Sequence, residues 1–91
     1  MLFRSNFSLF QNYPNSFNPV TNIRFSMEKA GKVSLTVFDI LGNEVLKPVD
    51  EYRETGIHDV RIDGANLPSG IYFIRFKTGE VQITRKMVMM K

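Results

Sequence analysis

The stretch from Leu67 to Lys77 constrains the fold more than any other part of the chain. Leu67-Pro68-Ser69-Gly70 is a turn signal that runs straight into Ile71-Tyr72-Phe73-Ile74-Arg75-Phe76-Lys77, the richest β-branched and aromatic run in the sequence. Successive side chains of a strand point to opposite faces, so Tyr72, Ile74 and Phe76 share one face while Ile71, Phe73, Arg75 and Lys77 share the other. The first set is wholly apolar and is expected to face a core. Thr78-Gly79 then offers a two-residue reversal in which Gly79 is free to take positive φ, and residues 81–90 return as a second strand. An isolated hairpin is marginal in water, so the upstream sequence has to supply strands that pack against this one.

The upstream sequence has the required period. Residues 21–27 alternate, with Ile23, Phe25 and Met27 against Asn22, Arg24 and Ser26, and Glu28-Lys29-Ala30-Gly31 breaks the run. Residues 32–38 repeat the pattern, with Val33, Leu35 and Val37 inward and Ser34 and Thr36 outward. Asp39-Ile40-Leu41-Gly42-Asn43 reads as a type I turn whose closing residue, Gly42, needs the left-handed region, with Asp39 bonding back to the backbone. Glu44-Val45-Leu46 starts a short strand that Pro48 and the charged run Asp50-Glu51-Tyr52-Arg53-Glu54 are expected to end. Gly56 resets the chain, and His58, Val60 and Ile62 then alternate with Asp59, Arg61 and Asp63. No stretch carries an apolar helical stripe. Six or seven short strands spaced by about ten residues predict an all-β chain, an antiparallel β-sandwich rather than a barrel.

The segment before these strands has a different character. Residues 1–10 are expected to be a tail or a short edge strand around Ser8 to Phe10, and residues 11–91 the domain. Asn12-Tyr13-Pro14-Asn15-Ser16-Phe17-Asn18-Pro19 holds two prolines that fix φ and three asparagines that form side-chain turns, so it reads as a rigid loop. Tyr13 and Phe17 are expected to be pegs that seal one end of the sandwich.

Composition excludes several function classes. The 91 residues suffice for one domain, and 43% hydrophobic with 23% charged residues is far from the composition of a disordered chain. With no cysteine there is no disulfide, thiolate metal site or thiol nucleophile. No apolar run reaches bilayer-spanning length, and Met1-Leu2-Phe3-Arg4-Ser5-Asn6 lacks the layout of a secretory signal, so neither membrane insertion nor an N-terminal export signal is expected. His58 is the only histidine, and Asp59 and Asp63 fall on the opposite face of its strand. Asp63-Gly64-Ala65-Asn66 reads as a tight turn, because it lacks the repeated acidic positions and distal glutamate of a calcium loop. No phosphate-cradling loop or nucleophile motif is present, so no catalytic, cofactor-binding or metal-binding residue is assigned, and an enzyme is not expected. Nucleic acid is not expected as a partner, because only Phe73, among the rings of its strand, shares a face with Arg75 and Lys77, which leaves a single-strand nucleic-acid binder the least favoured reading. The net charge of +3 is uneven: Arg75, Lys77, Arg85, Lys86 and Lys91 stand against Glu80 alone in residues 75–91.

Four motifs follow in order: Gln11-Asn12-Tyr13-Pro14-Asn15-Ser16-Phe17-Asn18-Pro19, Asp39-Ile40-Leu41-Gly42, Leu67-Pro68-Ser69-Gly70-Ile71-Tyr72 and Thr84-Arg85-Lys86-Met87-Val88. In this order and spacing the chain resembles, from about Phe7 to Lys91, the C-terminal sorting domain of cargo proteins of the type IX (Por) secretion system of Gram-negative bacteria. It departs from the family at Ser16 and Glu28, where proline is usual, changes that loosen turns and leave the strand pattern alone. The resemblance implies an immunoglobulin-like β-sandwich at the C-terminus of a larger precursor, recognised in the periplasm by the outer-membrane translocon. The precursor then goes to the cell surface or the medium. The implied partners are that translocon, its surface-attachment machinery and an upstream passenger of the same precursor, the domain itself being a monomer. Met1 is then read as the start of a fragment. A flagellar hook-cap assembly module shares the Leu67-to-Tyr72 type of signature and is one alternative; a surface adhesion or carbohydrate-binding sandwich is another. The Asn12, Tyr13, Pro14, Asn15, Phe17, Asn18 and Pro19 loop favours sorting. Gly42, Gly70 and Gly79 are expected to be structural turn residues. The address read by the translocon is expected at Arg85, Lys86, Met87, Val88, Met89, Met90 and Lys91, where basic charge, an apolar tail and the closing motif coincide. A terminal strand with one unpaired edge also invites extension by a partner strand.

Overall fold

A computed structural model describes residues 8–9, 16–17 and 20–90. Six long strands, each antiparallel to its long neighbours, carry the fold: β3 (Val20–Met27), β4 (Gly31–Phe38), β5 (Glu44–Arg53), β6 (Gly56–Asp63), β7 (Gly70–Thr78) and β8 (Val81–Met89). Two short ones precede them, β1 (Ser8–Leu9) and β2 (Ser16–Phe17). They form a three-stranded sheet in the order β1-β3-β6 and a five-stranded sheet in the order β2-β8-β7-β4-β5. The expected antiparallel sandwich is the observed architecture. Residues 1–7, 10–15, 18–19 and 91 lie outside the described residues, and with them Tyr13, most of the proline-asparagine loop and Lys91; of Phe17 only the backbone is described.

The strand read as central occupies the middle of the larger sheet. On β7, Tyr72, Ile74 and Phe76 are buried, Ile74 with 0% of its surface exposed, and Val33, Leu35 and Val37 of β4 lie beside them. The smaller sheet answers with Ile23, Phe25 and Met27 of β3 and Ile62 of β6. The two layers meet where the Phe25 ring lies 5.4 Å from that of Phe76. His58 points inward as its parity requires and stacks on Phe25 at 5.3 Å, while its Nε2 lies 2.7 Å from the Glu54 carbonyl oxygen. Thr36, expected outward, is only 6% exposed. It does point outward by register, but its cross-strand partner is Arg75, a long side chain folded over that same face.

The β4–β5 turn forms as its sequence dictates. Gly42 N–H donates to the Asp39 carbonyl at 3.0 Å, and the Asp39 carboxylate accepts from the backbone N–H groups of Leu41 and Asn43, both at 2.9 Å. These bonds, that from Asn43 first, hold the Asp39 carboxyl below the usual carboxylate range. Gly42 stands at φ +87°, and no neighbour would obstruct a side chain there, so the cost of replacing it is backbone strain alone. Gly42→Val is expected to lower stability by about 1–2 kcal/mol. Asn43→Val keeps both backbone bonds and is expected to cost less, and urea midpoints of the two variants check the ranking.

One turn and one strand end differ from expectation. Residues 78 and 81 are paired, so the β7–β8 reversal is Gly79-Glu80, one residue later than Thr78-Gly79. Thr78 stays in the strand because its side chain is buried and its hydroxyl donates to the Lys32 carbonyl at 2.8 Å. Gly79 has φ +55° and Glu80 does not share it, the φ pattern of a type II′ hairpin. Nor does Pro48 end its strand, since β5 runs through it for ten residues. β5 is an edge, where a missing N–H costs no ladder bond, and its register against β4 slips between Leu35 and Val37, which places Lys47 and Pro48 in a bulge. The loop into β7 is tied down by Tyr72, whose hydroxyl donates to the Pro68 carbonyl at 2.6 Å, and by Leu67 N–H donating to the Gly64 carbonyl at 2.9 Å. Asp63-Gly64-Ala65-Asn66 is a turn in which the Asp63 carboxylate accepts from Ala65 N–H at 3.0 Å.

Candidate functional site

The two outward faces of the sandwich differ in charge. On the smaller sheet Arg24 and Arg61 share the face with Asp59 and Asp63, and the Arg24 Nε sits 2.9 Å from the Asp59 carboxylate. That hydrogen bond and the opposite charge hold the Asp59 carboxyl low and raise the Arg24 guanidinium. The face is balanced.

The outward face of the larger sheet is not. Strand register places Lys32 of β4, Arg75 and Lys77 of β7 and Lys86 of β8 on it, against Asp50 and Glu44 of β5. Lys47, in the β5 bulge, adds a fifth cation: with Lys32, Ser34, Asp50, Lys77, Thr78 and Gly79 it lines a shallow groove of about 310 Å³. Asp50 lies 3.5 Å from the Lys32 ammonium and 3.8 Å from that of Lys47, so one carboxylate serves a groove with three lysines. Exposed pairs of this kind contribute little to stability, but the summed potential of such a face steers an approaching partner. Toward the other end, the Arg75 guanidinium lies over the Phe38 ring at 4.5 Å and the face becomes apolar, with Phe73, Ile71 and Val88.

The residues expected to form the address do not form one patch. β8 alternates across the sheet, so Lys86 and Val88 lie on the outward face, opposite Phe73 and Ile71, while Met87 and Met89 turn inward and are buried in the core. Arg85 has the inward parity, paired with Ile74, yet it is exposed. Met90 follows the strand and is 57% exposed. The β8 edge is also partly occupied: β2 pairs in parallel with it at Ser16–Val88 and Phe17–Met89. Among the described residues no strand pairs with that edge over residues 81–87, so the unpaired edge expected from the sequence is there but stops short of the strand's end. Sequence reasoning missed Lys32 and Lys47 as members of the basic face. The parity of Lys32 with Ser34 and Thr36 carried the signal for the first, and for the second the sequence held none, because residues 47–53 read as the end of a strand.

Among the described residues no three histidine, aspartate or glutamate side chains come together as metal ligands, and no helix is long and apolar enough to cross a membrane. What the geometry offers is an open basic face, a bare length of strand edge and turns held rigid by their own side chains. Residues 11–90 match the family described as the secretion system C-terminal sorting domain. The chain belongs to that family. This sorting domain acts as a C-terminal signal for type IX secretion, one part of a larger precursor that interacts with the type IX machinery and is exported to the cell surface or the medium. Neither a curated protein nor a solved structure matches the chain. Nothing in the match or the fold favours a hook-cap module or an adhesion sandwich.

Proposed function

We propose that the sorting domain is a non-enzymatic address, read in the periplasm by the outer-membrane translocon through β8. The carrying observation is that β8 combines exposed cations at Arg85 and Lys86 with an edge that no described strand covers over residues 81–87. A strand of the translocon adds to that edge through main-chain hydrogen bonds, and acidic groups beside it meet the cations. Met87 and Met89 act indirectly: as core residues they fix the strand, while Lys86, Val88 and Met90 face the partner. The domain works as a monomer, and the attachment machinery receives the cargo after passage.

The test separates address from fold. Arg85→Glu, Lys86→Glu and Lys91→Glu are combined in the full chain, with a red fluorescent passenger fused upstream, in a type IX-competent host. Arg85 and Lys86 are exposed and lie outside the core cluster, so the isolated variant is expected to melt like the parent, and circular dichroism checks this. The expected result is a passenger retained in the periplasm. Parental delivery to the surface or medium by a folded variant would move recognition elsewhere, with the Asn12-to-Pro19 loop as the next candidate.

A further inference from the structure

The most exposed large apolar side chains in the described chain sit at one place, the tip of the β4–β5 turn, where Ile40 is 70% and Leu41 is 81% exposed. Single exposed aliphatics are common, but these two stand on a turn that is already ordered. The Asp39 carboxylate holds the N–H groups of Leu41 and Asn43 at 2.9 Å, and Asp39 N–H donates to the Asn43 carbonyl at 3.0 Å. Docking such a tip orders little that is not ordered beforehand. Register puts further apolar surface at the same end of the sheet: Phe38 pairs with Phe73, Ile71 pairs with Val88, and Ile71 and Met90 are 42% and 57% exposed. Cations flank this surface, Arg75 over the Phe38 ring and Lys86 opposite Phe73.

We infer that this end of the five-stranded sheet docks into a protein partner whose apolar pocket takes Ile40 and Leu41 and whose carboxylates meet Arg75 and Lys86. The inference rests on the sorting reading, because the partner is one that the folded domain meets during export. It extends the contact proposed for β8 across β7 to the β4–β5 turn, with Lys86 shared between the two. Charge complementarity selects the occupant. A second copy docked about a two-fold axis would bring the same face, richer in cations than in carboxylates, to both sides of the interface. An anionic bilayer would be repelled at the tip by the ionised Asp39 and by Glu44, which pairs with Phe38. The tip also projects along the strands whereas Arg75 and Lys86 project from the face, so a concave surface reaches both and a flat one does not.

The experiment uses the full chain with the fluorescent passenger upstream in the same host. Ile40→Ser with Leu41→Ser removes the apolar tip, and Ile40→Val with Leu41→Met keeps it. The expected result is an unchanged melt for both, an export yield about tenfold lower for the serine variant, in keeping with loss of a central anchor, and parental export for the conservative one. Should the double serine variant melt lower, Leu41→Ser alone, at the more exposed position, is read instead. Parental export by a folded serine variant overturns the inference while leaving sorting intact; failure of the unaltered chain to export its passenger overturns the sorting reading itself. Two measurements on the purified chain address the other occupants. Flotation with phosphatidylglycerol vesicles, or concentration-dependent sedimentation, abolished by the serine substitutions, would assign the tip to lipid or to a second copy and overturn the inference.

Discussion

Ile74→Asp is expected to abolish the cooperative thermal transition of the domain. Ile74 lies on β7, the middle strand of the larger sheet, with Val37 of β4 on one side and Arg85 of β8 on the other, and none of its surface is exposed. A carboxylate there loses its hydration among buried apolar side chains, and Arg85, its cross-strand neighbour, is an exposed side chain that would have to be drawn into the core to meet it. That penalty is several kcal/mol, against a stability on the order of 5–15 kcal/mol for a whole domain. Protonation can relieve part of the cost, but the vacated apolar contacts are still lost. Lys77→Asp, on the outward face of the same strand, is the control and is expected to melt within a few degrees of the parent. Circular dichroism melts of the two variants decide the matter, and a cooperative transition in Ile74→Asp would mean that the faces of β7 have been assigned the wrong way round.

Phe25→Ala is expected to cost about 3–5 kcal/mol. Phe25 is fully buried on β3, and its ring touches both layers of the sandwich: His58 stacks on it from the neighbouring strand, and Phe76 meets it from the opposite sheet. Truncation leaves a cavity at the point where the two sheets are joined, and the flanking strands cannot collapse into it without shifting a ladder. Ile57→Ala, at an exposed position of β6, is expected to change stability by less than about 0.5 kcal/mol. Guanidinium titrations give both values, and a loss below about 1 kcal/mol at Phe25 would show that another contact joins the sheets.

The legible part of this fold is the part governed by a period of two. The inward sets of β3, β4, β6 and β7 are those that alternation picks out, because in a half-buried strand burial follows parity with little interference. Reading failed where a second rule competes with parity. Pro48 looks like a strand breaker, and it is one in a strand paired on both sides; only the edge position and bulge of β5, neither visible in the sequence, make it harmless. Thr78 looks like the first residue of a turn until its buried hydroxyl finds the Lys32 carbonyl, a partner far away in sequence. Arg75 has an outward parity and a charge, yet it is half-buried, because a long cation beside Phe38 gains more by lying across the ring than by standing in water.

The candidate site was legible in sign more than in shape. Sequence counting located the surplus of positive charge in residues 75–91, and the fold redistributes it: Lys77 joins Lys32 and Lys47 from other strands, while Lys86 and Arg85 point to opposite sides of the sheet. A linear tally cannot separate neighbours that a strand sends in opposite directions.

The parallel pairing of β2 with the end of β8 also bears on when the domain exists. It joins segments from near the two ends of the described chain, and β3 with β6 and β4 with β7 likewise pair across intervening strands. Closing such long loops has an entropic cost before any contact compensates for it, so chains with this kind of connectivity fold in about milliseconds to seconds, not microseconds. A partner that reads the finished surface therefore meets it only after the stretch from β2 through β8 has reached one compartment and β8 has docked. On the proposed reading the passenger has no address until then, and the slowest pairing in the sandwich sets the earliest moment at which it can be sorted.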